Sequence, residues 1–205
     1  LGVLYAARHP EKVSVYVGTG QIGNWPASER LSYEYTLAEA ARRGNNKALK
    51  ELRALGPTPH SYWKMVTQRK WLVRFAGTVR GISSWKFFRI TCAGPESSLF
   101  DIPNILRGMI LTPKIMWEDI APLNLEVLVP ELKVPVFFLI GRHDRVVPGE
   151  ASAAYFEKLA APAKEFVWFE DSGHEPPAEE PEKFHRIMKE RVRPLAVETT
   201  CNSVA

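Results

Sequence analysis

The chain has 205 residues, 45% hydrophobic and 24% charged, a balance that fits a folded domain and excludes a disordered tail or a fibrous repeat. No apolar run approaches the roughly eighteen residues of a membrane-spanning helix, and the longest, Val134 to Ile140, has the length of a buried strand. The formal charge of +4 divides unevenly: residues 25–120 hold fifteen Lys or Arg against eight Asp or Glu, and residues 121–205 hold ten against fourteen. A basic stretch of this kind can steer anions, although a solvated helical face accounts for it more simply.

Residues 1–9 are rich in helix formers and stop at Pro10, so they read as the later part of a helix. The opening on Leu1 without a charged leader predicts a start inside a larger protein. The compartment therefore stays open, with the cytoplasm favoured. Val13 to Val17 is β-branched and aromatic and runs into Gly18 and Gly20, the pattern of a strand and a turn. From Trp25 the period becomes helical. One helix should bury Leu31, Tyr35, Ala38 and Ala41 and stop at Gly44-Asn45-Asn46. A second, capped by Asn46, should carry Leu49, Leu52 and Leu55 to Gly56-Pro57. A third spans His60 to Ala76 and a fourth Asn104 to Leu111, with no clear period from Gly77 to Pro103.

The last third alternates: strand Val134–Ile140, helix Gly149–Ala160, strand Glu165–Phe169, helix Ala178–Arg191, then a polar frayed tail after Pro194. Such alternation predicts parallel strands with right-handed crossovers, the α/β class. The expected division is core 1–24, helical insertion 25–123, core 124–193 and tail 194–205. Cys92 and Cys201 are too far apart in sequence to suggest a disulfide framework or a metal site, and reduced thiols are expected.

In a parallel sheet, chemistry collects in the loops beyond the carboxyl ends of the strands. Here those loops are 141–148, with Asp144, and 170–177, with His174. If the two strands are neighbours, a carboxylate can sit on one imidazole nitrogen and leave the other free to take a proton. Gly18-Thr19-Gly20-Gln21-Ile22-Gly23 spells G-x-G-x-x-G. No helix opens at Gly20 and no strand-borne acid follows about twenty residues on, which argues against a dinucleotide site. Trp63, Trp71, Phe75, Trp85, Phe87 and Phe88 interleave with Lys64, Arg69, Lys70, Arg74, Arg80, Lys86 and Arg89. Base-stacking proteins use such mixtures, but helices that pack aromatics onto a pocket and turn cations outward give the same pattern. His9, His60, His143 and His185 read as surface or packing residues.

Gly141-Arg142-His143-Asp144 with Pro148, and Ser172-Gly173-His174 with Glu180-Pro181 and Phe184, resemble the acid and histidine motifs of the α/β-hydrolase superfamily. Leu1 to Val13 resembles the helix that follows the nucleophile elbow there, running into the next strand. The resemblance covers residues 1–20 and 130–192 and is nearest to lidded serine hydrolases that include proline iminopeptidases, with residues 25–123 where that family inserts its lid. It implies a partial α/β-hydrolase fold. It further implies His174 as base and then acid, Asp144 orienting it, and Gln21 and Val147 beside the substrate. No metal or organic cofactor is implied; the partner would be a small molecule or short peptide, not nucleic acid or membrane. The family's G-x-S-x-G elbow is absent from the 205 residues, and Ser97-Ser98 lacks the following glycine. The nucleophile and the oxyanion hole are thus expected upstream of Leu1, and the chain alone is expected to be inactive and poorly stable. An aspartate nucleophile, as in epoxide hydrolases and haloalkane dehalogenases, is the alternative within the superfamily. A non-catalytic basic nucleic-acid-binding module is the alternative from another class, and the oligomeric state is not legible.

Overall fold

The computed structural model describes residues 1–57, 61–83, 86, 89 and 99–202. Three parallel strands form the sheet: β1 (Tyr16–Thr19), β2 (Val136–Gly141) and β3 (Lys164–Phe169), in the order β1-β2-β3. Tyr16 stands opposite Val136, and Val136 opposite Lys164. All six residues of the central strand are buried, because both of its faces are covered. Val136, Phe138 and Ile140 pack with Val3, Tyr155 and Leu159 on one side, while Phe137 and Leu139 pack with Phe169, Ile187 and Val192 on the other. An unbroken apolar run is what a doubly covered parallel strand requires.

The first strand begins later than its β-branched run suggests. Pro10–Lys12 takes up a 3₁₀ turn, and pairing starts where the Tyr16 amide donates to the Pro135 carbonyl at 2.8 Å. Helix α1 (Gly2–Arg8) precedes this strand and buries Val3 and Ala6.

Between β1 and β2 the chain is helical among the described residues. It forms α2 (Trp25–Arg42), α3 (Asn46–Leu55), α4 (Tyr62–Arg74), α5 (Ile102–Ile115) and two single turns, α6 (Trp117–Ile120) and α7 (Leu125–Leu128). No helix among the described residues is long and apolar enough to cross a membrane. Asn24, Asn45 and Ser61 cap the first three by accepting from Ala27, Ala48 and Lys64 amides. Asn45, not Asn46, is therefore the cap of α3. Gly56 closes that helix at φ +77°, a left-handed conformation that favours glycine. Leu52 is fully buried and Leu49 and Leu55 pack partly beside it, as the spacing predicts.

In α2 the buried face is a different one from that expected. Ser28, Glu29, Ser32, Tyr33, Thr36 and Ala40 turn inward, and Leu31, Tyr35, Ala38 and Ala41 do not, because this helix is docked by hydrogen bonds rather than by an apolar stripe. The aromatic reading also needs correction. Trp71 and Phe75 pack into the helical core with Tyr33 and Leu52 rather than onto a pocket, and Trp63 is 61% exposed. Cys92, Trp85, Phe87, Phe88, Ser97, Ser98 and His60 lie outside the described residues, as does the Cys201 side chain.

After β2 comes α8 (Gly149–Lys158); after β3 come α9 (Pro176–Glu179), α10 (Pro181–Ile187), a π-helical segment (Met188–Val192) and α11 (Arg193–Asn202). The helix predicted from Ala178 to Arg191 is interrupted at Glu180, because Pro181 opens a new helix and cannot continue one. The frayed tail expected after Pro194 is helical as far as Asn202. Pro194 sits in the first turn, and Leu195 packs against the layer under Phe137 and Leu139.

Candidate active site

The loops that follow β2 and β3 run side by side. The Arg142 amide donates to the Phe169 carbonyl at 2.8 Å and the His143 amide to the Ser172 carbonyl at 2.9 Å. Glycine permits this approach: a Cβ on Gly141 would stand 1.8 Å from the Gly173 oxygen, while one on Gly173 would stand 2.2 Å from the oxygen of Thr78 in the segment after α4. Asp144 is fully buried. Its Oδ1 accepts from the Val146 and Val147 amides at 2.8 and 2.9 Å, an aspartate turn that fixes the carboxylate plane. The other oxygen, Oδ2, lies 2.8 Å from His174 Nδ1.

The histidine is held from its backbone outward. Its amide donates to the Thr78 carbonyl at 2.7 Å. Glu179 accepts from the amides on either side, Gly173 and Glu175, each at 2.8 Å, and Glu180 accepts from the Ser172 hydroxyl at 2.7 Å. Glu180 belongs to the motif read from the sequence. Glu179 was missed there, although four-residue spacing from Glu175 across Pro176-Pro177 is the signal of a capped turn.

Burial disfavours the His174 cation, but the hydrogen bond and charge of Asp144, helped by Glu175, outweigh it and raise the imidazole above its ordinary pKa. A carboxylate facing Nδ1 keeps the proton on that nitrogen. Nε2 is left as the proton acceptor, and among the described residues it has no hydrogen-bond partner.

His174 borders a pocket of about 330 Å³, with Gly20 and Val147 on the sheet side and Glu29, Met65 and Arg69 on the helical side. Gly20 lies at φ +56°, and a Cβ there would stand 2.8 Å from His174 Cε1. The glycine pattern 18-20-23 thus serves close packing, since a Cβ on Gly23 would collide with Tyr155 at 2.3 Å and the next helix opens only at Trp25. Val147 lines this pocket, and Gln21 does not. The Gln21 side chain accepts from the Tyr16 hydroxyl at 2.5 Å and donates to the Ile22 carbonyl at 2.7 Å, so its polar groups are satisfied beside the strand, while its neighbours Gly20 and Ile22 line the cavity.

The helical wall holds what the sequence reading did not find. Arg69, expected outward, ion-pairs with Glu29, which is 2% exposed. Burial raises the Glu29 carboxyl pKa against the opposing pull of Arg69. Glu29 Oε2, Ser28 Oγ and Trp25 Nε1 are buried without a hydrogen-bond partner among the described residues. An acid and a base forty residues apart have no local spacing by which to be recognised.

No family model matches the chain. It is similar to the probable aminopeptidase YbaC of Bacillus subtilis (strain 168), with 28% identity over 193 residues that cover 91% of this chain and 59% of that protein. It is also similar to the solved proline iminopeptidase of Mycobacterium smegmatis, with a TM-score of 0.50 and 10% identity over 96% of this chain and 62% of the other. The chain has the fold of the α/β-hydrolase superfamily. It spans less than two thirds of the length of either protein. Within this α/β-hydrolase fold, Asp144, His174 and the pocket stand at the carboxyl edge of the strands, where open parallel sheets receive their ligands.

Proposed function

We propose that His174 and Asp144 are the base and the orienting acid of a hydrolase that cleaves an ester or amide of a small molecule or short peptide through an acyl-enzyme. The nucleophile is a serine supplied from outside these 205 residues. Its oxygen attacks the carbonyl carbon while His174 Nε2 takes its proton, and Asp144 stabilises the imidazolium. That proton then passes to the leaving amine or alcohol. Water, deprotonated by the same nitrogen, attacks the acyl carbon, and the serine leaves with the proton restored. Residues 25–123 act as the lid, closing the pocket with Glu29, Met65 and Arg69.

The observation that carries this reading is the 2.8 Å contact between Asp144 Oδ2 and His174 Nδ1 at the mouth of a pocket. The similarity to a probable aminopeptidase supports the amide branch. The test is labelling of the full-length gene product by a fluorophosphonate, alongside turnover of ester and amide substrates. His174→Ala should abolish both, and Asp144→Asn should lower turnover by about 10⁴. Because a base must be neutral, the raised pKa of His174 places the acid limb of the rate above the ordinary imidazole range, and Asp144→Asn should move that limb to lower pH. Residues 1–205 alone should remain unlabelled. Labelling that survives His174→Ala overturns the assignment.

A further inference from the structure

The acid loop borders a second concavity, of about 450 Å³, outside the machinery described so far. Tyr35, Val79, Arg80, Ile82, His143 and Arg145 line it. Arg80, Arg145 and His143 are its basic residues, and no carboxylate-bearing residue lines it among the described residues.

Each of the three is mounted on backbone fixed by contacts remote in sequence. His143 donates its amide to Ser172 at 2.9 Å. Arg145 donates its amide to Gly77 at 3.0 Å and accepts from the Ser32 hydroxyl at 2.5 Å, and its guanidinium lies 5.1 Å from the centre of the Tyr35 ring. The Arg80 amide is bound by Glu179 at 2.5 Å. The opposing charge is slight. Arg145 meets Glu150 at 3.4 Å, with the Glu150 side chain 67% exposed, and the Arg80 side chain has no ion pair among the described residues. Two guanidinium groups on fixed backbone, with an exposed Glu150 as the ion-pair partner of one of them, form a preorganised anion site, since a bound anion offsets their mutual repulsion at little cost in ordering.

We propose that this concavity binds a small organic phosphate, with the phosphoryl group on Arg80, Arg145 and His143 and the organic part against Tyr35, Val79 and Ile82. Three donor groups match the three peripheral oxygens of a phosphomonoester, whereas a carboxylate offers two. The volume falls within the range of small-molecule pockets and exceeds what a bare phosphate fills. The apolar wall supplies contacts for an attached ring or chain. The binding itself does not depend on the proposed reaction.

Calorimetric titration of the full-length gene product with phenyl phosphate, inorganic phosphate and benzyl alcohol tests this. Phenyl phosphate should bind saturably, inorganic phosphate more weakly, and the neutral alcohol not at all. Arg80→Ala and Arg145→Met should each weaken phenyl phosphate about tenfold or more, and His174→Ala should leave it unchanged. Arg80 is exposed, so its replacement leaves the fold intact, and an unaltered thermal melt of the unliganded variant verifies this. Binding unaffected by Arg80→Ala overturns the proposal. So does binding lost in His174→Ala, which would put the ligand in the other pocket. Benzyl alcohol binding as well as phenyl phosphate would make the site apolar, and inorganic phosphate binding equally tightly would remove the role of the organic part; either result also overturns it.

Discussion

Strand β2 buries six residues in a row without one polar side chain, whereas helix α2 turns Ser28, Glu29, Ser32 and Thr36 inward beside Tyr33 and Ala40. The contrast extends to what surrounds them. The β2 side chains meet aromatic rings: the Phe138 centroid lies 5.4 to 6.4 Å from those of Phe156, Tyr155 and Phe166. On α2, Ser32 is the hub of a polar seam. Gln68 donates to Ser32 Oγ and to Thr36 Oγ1, each at 3.0 Å, and Ser32 donates onward to the carbonyl of Arg145. The sheet is held by the filling of volume. The helical layer adds to its own apolar cluster of Tyr33, Leu52, Trp71 and Phe75 this seam of donors and acceptors, and the seam reaches the acid loop one residue from Asp144. A rigid apolar floor with a hydrogen-bonded roof lets the roof be specific in position while its helix stays polar enough to border a wet pocket.

The contrast breaks most visibly at Phe138. Phe138→Ala should cost about 3–5 kcal/mol by loss of buried area and the cavity left behind, read from denaturant midpoints of the full-length gene product. Phe138→Leu should recover most of it, because volume is what matters there. In the seam the rule reverses. Gln68→Ala should cost about 1–3 kcal/mol, and Gln68→Met, which keeps the bulk, should recover little because Thr36 loses its donor and Ser32 keeps only the longer 3.3 Å bond from Arg69. If Met at position 68 restores stability, the roof is packed like the floor and the distinction is wrong.

The same contrast explains what the sequence could reveal. An apolar run flanked by Pro135 and Gly141 states its own burial, and the alternation of strand and helix after it made β2 and β3 legible as parallel strands. The loops that carry Asp144 and His174 follow from where those strands end. The inward face of α2 was not legible, because Ser, Glu and Thr carry no apolar period and the partners that justify their burial, Gln68 and Arg69, lie more than thirty residues away. Gln21 was misassigned for a related reason. A polar residue after a strand suggests a pocket, yet it answers the buried Tyr16 hydroxyl, whose pKa burial pushes up to about 12. The Arg80–His143–Arg145 concavity was invisible too, since it joins two loops and a helix that only the fold brings together.

The outer face of α2 gives the smallest and most diagnostic effect. Glu39 accepts from Arg42 at 2.9 Å and from Arg43 at 3.0 Å, and these partners, Arg42's hydrogen bond foremost, lower its carboxyl from 4.5 to about 2. A carboxyl whose pKa is depressed by folding stabilises the fold above its unfolded value and loses that contribution as pH falls through the folded one. The Arg42 and Arg43 side chains are 67% and 40% exposed, so solvent and salt screen the pairs. Glu39→Gln should therefore cost less than about 1 kcal/mol near neutral pH, and less again in high salt. The difference from wild type should shrink from pH 4.5 downward and vanish only below about pH 2. On one helix, then, exposed ion pairs should count for less than the buried neutral bonds of Ser32 and Thr36. A Glu39→Gln loss as large as that of Gln68→Ala, or one that is undiminished at pH 2, would show that α2 is anchored from its outer face instead.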